Sequence, residues 1–176
     1  GDTAECGVYA GAGSYLICQA NALSSRHEKF HHIFDSFEGL SNPLELDGTH
    51  WTHGDLSCPE HVVRTNLESF TQFQLYKGWI PDRFAEVADR SFSFVHIDVD
   101  LYEPTRDSVR FFYPRVSPGG IVLCDDYGCT SCPGATRAMD EFLADKPERM
   151  VALSEGGGFI IKGVETAPQL PDVAGL

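Results

Sequence analysis

The chain has 176 residues, a length that suits one domain built around one hydrophobic core. Its 42% of hydrophobic residues excludes a disordered chain, and no apolar run is long enough to span a membrane. Acidic residues outnumber basic ones by 26 to 13, and the formal charge of -13 argues against a nucleic-acid partner. Because no signal pattern opens the chain, we expect a cytoplasmic protein that does not associate with membranes.

Short apolar, β-branched runs alternate with amphipathic segments, a pattern that predicts βα units and a parallel sheet. In chain order, strands are predicted at residues 5–9, 31–34, 73–76, 92–97 and 121–124. Helices are predicted at 14–22, from 57 onward, at 81–88, at 104–115 and at 135–143. Ser57 and Glu60 are predicted to form a capping box for the second helix. Residues 150–153 and 159–161 are predicted to form a closing β-hairpin.

This order of elements predicts an α/β fold of the Rossmann-like class I methyltransferase type. Its sheet would be mostly parallel and seven-stranded, with an antiparallel hairpin at its C-terminal end. We expect one domain over residues 1–165 and a loose tail over 166–176. Ligands should bind at the carboxyl ends of the strands, near the reversal in strand order.

Six cysteines do not have the dense, regular spacing of a secreted disulfide scaffold. Cys6, Cys18 and Cys124 stand in apolar stretches, where a thiol behaves as a small buried hydrophobe. Cys129 and Cys132 form a C-x-x-C pair that could bind zinc or act in redox chemistry. No second pair accompanies it, so we interpret both as loop residues.

A glycine turn follows the first predicted strand, at residues 5–14. Small residues there let the backbone approach a ligand closely, although a purely structural turn fits as well. Asp35 ends the second strand and could accept hydrogen bonds from the ribose of NAD or of S-adenosylmethionine. The alternative is a turn-forming aspartate before Ser36.

The strongest feature is a set of aspartates after two apolar strands. Asp98 follows residues 92–97, and Asp125 and Asp126 follow residues 121–124. Neighbouring strands lie only about 4.8 Å apart, so these carboxylates would crowd together and raise one another's pKa. A hard cation, Mg²⁺ or Ca²⁺ in its place, would relieve the conflict, and turn-forming aspartates are the alternative.

Asp100 is predicted to point the same way as Asp98 and to be the base that takes the acceptor's proton. His96 shares that face but lies deeper, so we expect a buried, hydrogen-bonded structural role for it. His50 and His53 could line an acceptor site or be ordinary polar loop residues.

These residues stand in runs that resemble the macrocin-type O-methyltransferases, which methylate sugar hydroxyls in antibiotic biosynthesis. The matching runs are residues 5–11, 34–40, 77–79, 96–105, 118–120, 125–127 and 132–134. The resemblance extends from Glu5 to about Lys162. It implies an enzyme of natural product biosynthesis that uses S-adenosylmethionine and Mg²⁺ to methylate a small hydroxylated acceptor, with a homodimer as one option.

The resemblance also assigns roles to residues. Asp98, Asp125 and Asp126 match the magnesium ligands, and Asp100 matches the proposed general base. The residues expected to bind the cofactor are Glu5, Gly7, Tyr9, Gly11, Ser14, Asp35, Ser36, Gly78, Trp79 and Asp98.

In one respect the chain departs from that family, whose members carry a segment before the first strand that covers the active site. This chain begins almost at that strand, so we expect either a trimmed segment or a more open acceptor site. Two other functions fit part of the pattern. A nicotinamide-dependent oxidoreductase would use the glycine turn and Asp35, and a non-catalytic S-adenosylmethionine-binding module would lack an acceptor site.

Overall fold

Strands and helices alternate along most of the chain. The computed structural model describes residues 1–24 and 29–165, so the tail predicted at 166–176 lies outside the described residues. The strands are β1 (Asp2–Cys6), β2 (His31–Asp35), β3 (Phe73–Lys77), β4 (Phe92–Ile97), β5 (Val116–Cys124), β6 (Val151–Ala152) and β7 (Gly158–Ile161). The α-helices are α1 (Ala12–Leu23), α2 (Glu60–Asn66), α3 (Tyr102–Phe112) and α4 (Pro133–Leu143). Short 3-10 helices cover Glu45–Asp47, Phe84–Val87 and Tyr113–Arg115.

The seven strands form one sheet in the order β3-β2-β1-β4-β5-β7-β6. β1 to β5 run parallel to one another, whereas β7 is antiparallel to both β5 and β6. The order reverses between β1 and β4, because the chain first moves outward to β2 and β3 and then returns to build the other half. The predicted α/β class, with its mostly parallel seven-stranded sheet and C-terminal hairpin, is confirmed. Within the described ranges, no helix combines the length and the apolar character needed to cross a membrane.

Adjacent side chains of β2 enter two hydrophobic cores, one on each face of the sheet. Phe34 stacks on Tyr76 with 4.6 Å between ring centroids and meets Phe112 of α3 edge-on. Its neighbour Ile33 lies in a smaller core with Val63 of α2. Helices therefore cover both faces, which is why the central strands are buried on both sides.

Two predicted boundaries in the first half of the chain are wrong. β1 ends at Cys6 instead of residue 9, because Gly7 turns the chain at a φ of 79°. α2 begins at Glu60 without a side-chain cap, so the predicted capping box does not form. The extended backbone of Pro59 precedes the helix directly and leaves Ser57 too far from its first turn.

Three boundaries later in the chain also differ. The helix predicted at 81–88 is a 3-10 helix at Phe84–Val87. Its two buried residues, Phe84 and Val87, are three positions apart and lie on one face, because a 3-10 helix has three residues per turn. α3 begins at Tyr102, because Pro104 in the first turn has no N–H to leave unpaired. β5 begins at Val116, and residues 118–120 interrupt its pairing with β4 instead of forming a free turn.

Candidate functional site

The ends of β1 and β4 approach each other closely where the strand order reverses. The backbone N–H of Asp98 donates to the carbonyl of Cys6 at 2.9 Å, which continues the pairing beyond β4. Gly7 stands beside this bond, and a Cβ at that position would overlap the carbonyl oxygen of Asp98. Open α/β sheets bind ligands at this reversal, in the crevice beyond the carboxyl ends of the strands.

A cleft of about 430 Å³ opens at this junction, a volume typical of small-molecule sites. Its walls come from the ends of β1, β2 and β4, from the long loop after β2, and from the start of α3. Five carboxylates are among the lining groups, from Asp35, Asp98, Asp100, Glu103 and Asp107. The cleft is therefore suited to a ligand that carries positive charge.

Some of the residues predicted to bind the cofactor line this cleft. They are Gly7, Tyr9, Asp35, Ser36, Trp79 and Asp98. The lining does not include Glu5, Gly11, Ser14 or Gly78. Gly11 is the N-cap of α1, with a φ of 94°. Direct contact of those four residues with a cofactor stays a prediction.

Asp35 fixes the loops that follow β1 and β2. Its Oδ2 accepts the N–H of Val8 at 2.7 Å, and its Oδ1 accepts the N–H of Phe37 at 2.6 Å. Burial raises the pKa of its carboxyl, although these backbone donors oppose the shift. Asp35 therefore stabilises a turn, as the alternative interpretation expects. Its carboxylate also lines the cleft as a fixed hydrogen-bond acceptor.

Asp98, Asp100 and Asp126 come together at the ends of β4 and β5. Ile97 pairs with Cys124, so the residues after both strands are neighbours. Asp126 is buried, and its Oδ2 accepts the backbone N–H of Asp100 at 2.8 Å.

Asp125 stands on the outer side of this group. Its side chain is 62% exposed, and its Oδ1 lies 3.8 Å from Nε2 of His96. The structure therefore brings the predicted metal ligands to one sheet edge, with Asp126 buried and Asp125 in solvent. Their binding of a metal ion stays a prediction.

The electrostatics of the cluster differ from one aspartate to the next. Burial raises the pKa of Asp98 and Asp100 to about 7, and the carboxylate of Asp126 adds to both shifts. The adjacent His96 ring instead lowers the pKa of Asp125. Burial of that ring opposes its charged form, yet the carboxylates of Asp125 and Glu5 raise the pKa of His96 to about 10.

Crowded carboxylates without enough donors are the environment that a hard divalent cation stabilises. In the described part of the chain, one group of possible ligand atoms lies within 4.8 Å of one another, from Asp100, Asp126 and Cys132. Burial raises the pKa of the Cys132 thiol to about 12, so the sulfur stays protonated and does not suit Mg²⁺. The two aspartates of this group fit such an ion, but the predicted ligands Asp98 and Asp125 do not belong to the group.

Asp100 has a left-handed backbone, with a φ of 59°. The strand alternation predicted to align it with Asp98 is therefore wrong, because β4 ends at Ile97. Both side chains nevertheless line the cleft. The N–H bond to Asp126 holds this conformation, which costs about 1–3 kcal/mol in a non-glycine residue and is found most often at functional sites.

A buried polar layer lies beneath the cleft. Glu5 is only 2% exposed, and its Oε1 lies 2.8 Å from Nδ1 of His96. Its other oxygen accepts the hydroxyl of Ser14. The prediction that His96 is buried and hydrogen-bonded is confirmed.

The C-x-x-C pair lies between β5 and α4, and all six cysteines are free. Cys132 is the N-cap of α4, where its sulfur accepts the indole N–H of Trp51 at 3.3 Å. These contacts agree with loop residues that share no zinc or redox chemistry.

Sequence reasoning missed two parts of the cleft wall. Glu103 and Asp107 lie one turn apart on α3, so helical spacing after Asp100 could have identified them. Leu40 and Leu56 come from the long loop, which gave no local signal. Neither His50 nor His53 lines the cleft; their rings pack on Trp51 and Trp79.

The chain is similar in sequence to a described protein family and to curated proteins. Residues 1–150 match the family described as Macrocin-O-methyltransferase (TylF). A 4'-O-methyltransferase of a rhamnosyl-tetracenomycin C from Streptomyces olivaceus is 31% identical over 149 residues, covering 77% of this chain. The demethyldecarbamoylnovobiocin O-methyltransferase of Streptomyces niveus is 29% identical over 171 residues, covering 89%. The chain spans 56% and 64% of the length of these two relatives.

Solved structures have the same fold. The O-methyltransferase NovP superposes with a TM-score of 0.81 at 26% identity, covering 92% of this chain and 72% of that one. The calicheamicin methyltransferase CalS11 gives a TM-score of 0.78 at 21% identity, covering 93% and 73%.

Proposed function

This chain belongs to the macrocin-O-methyltransferase family, and we propose that it transfers a methyl group from S-adenosylmethionine to a hydroxyl of a small natural product. One observation carries the proposal. The cleft at the reversal in strand order joins a cofactor-sized space to the carboxylates of Asp98 and Asp100 at the end of β4. A bound sulfonium is positively charged, which agrees with the acidic wall.

The proposed cofactor contacts are the predicted residues that line the cleft. Gly7 admits a ligand close to the backbone of β1, because it has no Cβ. Asp35 and Ser36 present oxygen atoms at the end of β2, suited to ribose hydroxyls, and Trp79 contributes an aromatic surface. S-adenosylmethionine supplies an electrophilic methyl group when bound.

Asp98, Asp125 and Asp126 are the proposed Mg²⁺ ligands. Asp98 lines the cleft, where burial and the neighbouring carboxylate of Asp126 oppose its charged form, a conflict that a cation would relieve. A divalent ion at these oxygens would lower the pKa of an acceptor hydroxyl.

Asp100 is the proposed general base. Its carboxylate lines the cleft beside the proposed ligands Asp98 and Asp126, where it can accept the proton of a bound hydroxyl. Asp100 would accept the hydroxyl proton of the acceptor as its oxygen takes the methyl group from the sulfonium, and S-adenosylhomocysteine would be the leaving group. The other cleft residues hold the two reactants in line.

The acceptor is proposed to be a sugar attached to a natural product. The relatives from Streptomyces olivaceus and Streptomyces niveus are named for methylating a rhamnosyl-tetracenomycin and demethyldecarbamoylnovobiocin. Because the chain spans only part of those proteins, the sugar class is inferred from the rhamnosyl group in the first name and from the carboxylates in the cleft wall.

Two measurements test the proposal. Isothermal titration with S-adenosylhomocysteine should give saturable binding, and NAD⁺ should give none. Radiolabelled S-adenosylmethionine should then transfer methyl groups to a glycosylated acceptor panel in the presence of Mg²⁺, and EDTA should stop the transfer.

Substitutions of the aspartates distinguish the proposed general base from a proposed metal ligand. Asp100→Asn should lower kcat by about 100-fold or more, because the proton acceptor is lost. Asp98→Asn should abolish turnover, and added Mg²⁺ should not restore it, because a proposed ligand of the ion is lost. Asp89→Asn is the matched control, since that side chain is 87% exposed outside the cleft. Preferential NAD⁺ binding, or full activity in EDTA, would contradict the proposed reaction or its metal.

A further inference from the structure

Glu5 is buried below the cleft with both carboxylate oxygens occupied. Oε1 accepts Nδ1–H of His96, and Oε2 accepts the Ser14 hydroxyl. Ser14 in turn lies 3.0 Å from Nε2 of His31, and Nδ1 of His31 lies 2.9 Å from the hydroxyl of Thr3. Donors can be assigned along this chain so that every group is satisfied and every donor points toward Glu5. The Glu5 carboxylate is therefore rigid.

His96 extends from this rigid carboxylate toward Asp125 at the end of β5. With Nδ1 held by Glu5, the ring can present only Nε2 to the opposite side. That nitrogen lies 3.8 Å from Oδ1 of Asp125. The ring thus connects a buried anchor to an exposed carboxylate at the end of β5.

Asp125 has little else to fix it. Its side chain is 62% exposed, and His96 is its ion-pair partner in the described part of the chain. An exposed aspartate samples several rotamers unless a partner selects one. The orientation of Asp125 therefore depends on His96, and through it on Glu5.

Gly13 makes room for this arrangement. A Cβ at Gly13 would overlap Oε1 of Glu5 and come within 3.4 Å of Nδ1 of His96. The glycine lies inside α1, where alanine is otherwise favoured by about 1 kcal/mol. The third glycine of the turn thus accommodates the Glu5–His96 pair instead of a cofactor.

We propose that Glu5 and His96 are positioning residues that orient Asp125 toward a divalent cation at the cleft. The inference rests on the proposed function, because the cation is the one proposed there. Ligating carboxylates commonly rely on such outer partners, whose loss lowers metal affinity by about 10- to 100-fold. If Glu5 and His96 only stabilised the fold, substituting them would lower stability without changing the affinity for the cation.

Two substitutions at His96 separate the positioning role from the structural one. In His96→Asn the amide nitrogen occupies the place of Nδ1, so it keeps the bond to Glu5 and loses the reach to Asp125. In His96→Gln the amide nitrogen occupies the place of Nε2 and keeps that reach. Glu5→Gln removes the anchor with little change in volume. His32→Asn is the control, since His32 is a buried strand histidine held by a carboxylate, Asp2, away from the cleft.

The experiment titrates Mn²⁺ into each intact protein, followed by electron paramagnetic resonance, and measures S-adenosylhomocysteine affinity and urea unfolding in parallel. We expect Glu5→Gln and His96→Asn to weaken Mn²⁺ binding by about 10-fold or more. His96→Gln should bind Mn²⁺ more tightly than His96→Asn, and His32→Asn should match the wild type. S-adenosylhomocysteine affinity should change little in the His96 and His32 variants, and in Glu5→Gln it should fall by less than the Mn²⁺ affinity.

Three results would overturn the inference. They are unchanged Mn²⁺ affinity in His96→Asn, an equal loss in His32→Asn, or a loss of S-adenosylhomocysteine affinity in Glu5→Gln that matches its loss of Mn²⁺. If the wild type bound no Mn²⁺, the proposed metal site would fail and this inference with it. Metal binding by the wild type with unaffected variants would reject the inference alone.

Discussion

Replacing Gly7 with alanine tests the close junction of β1 and β4 on which the cleft is built. Gly7 has a φ of 79°, and alanine in a left-handed conformation costs about 1–2 kcal/mol. The new Cβ would also overlap the carbonyl oxygen of Asp98, a backbone atom that cannot rotate away. Forcing packed backbones apart adds about 1–3 kcal/mol. Gly7→Ala should therefore lose about 2–5 kcal/mol of unfolding free energy.

Gly119 provides a matched control for the backbone cost. Its φ of 80° is nearly that of Gly7, but a Cβ there would meet nothing within 4 Å. Gly119→Ala should lose only about 1–2 kcal/mol in urea unfolding at equal protein concentration. Gly7→Ala should also weaken S-adenosylhomocysteine binding, because Asp98 must shift. Equal losses of stability in the two variants would refute the argument that Gly7 is required by this contact.

Two further predictions concern stability. Burial lowers the pKa of His31 to about 3, so the folded protein keeps it neutral while the unfolded chain takes up a proton below about pH 6.5. The stability of the wild type relative to His31→Gln should therefore fall by about 2 kcal/mol between pH 7 and pH 5, and parallel urea curves would contradict this. Asp47→Ala removes the acceptor of the Leu44 and Tyr102 N–H groups and should cost about 2–4 kcal/mol, against under about 1 kcal/mol for the more exposed Asp55→Ala.

The sheet could be predicted from the sequence because its signals are local. β4 was predicted with its observed bounds, since an apolar run bounded by polar residues suffices to identify a strand buried on both faces. The end of β1 was missed because Val8 and Tyr9 continue the apolar pattern while the backbone has already turned at Gly7. The apolar sequence predicts which residues are buried, but the positive φ of Gly7 determines where β1 ends.

The sequence predicts which aspartates form the cluster, but it predicts their arrangement only in part. Strand adjacency correctly brings Asp98 and Asp126 to one edge, but alternation cannot describe Asp100, whose backbone is left-handed. The exposure of Asp125 and the burial of Asp126 were equally out of reach. Two neighbouring residues after a strand differ in burial only once the following turn is known.

The glycine turn illustrates most clearly what the sequence alone leaves open. From the sequence, residues 5–14 form one glycine turn that fits either a cofactor site or a purely structural turn, yet each of its three glycines contacts a different neighbour. Gly7 makes room for a carbonyl of β4, Gly11 starts α1 against Val63, and Gly13 makes room for Glu5. Only the first of them lines the cleft. Since two of these neighbours are distant in the chain, no local pattern could assign the three roles, and a glycine-rich turn predicts close packing more reliably than it predicts a ligand.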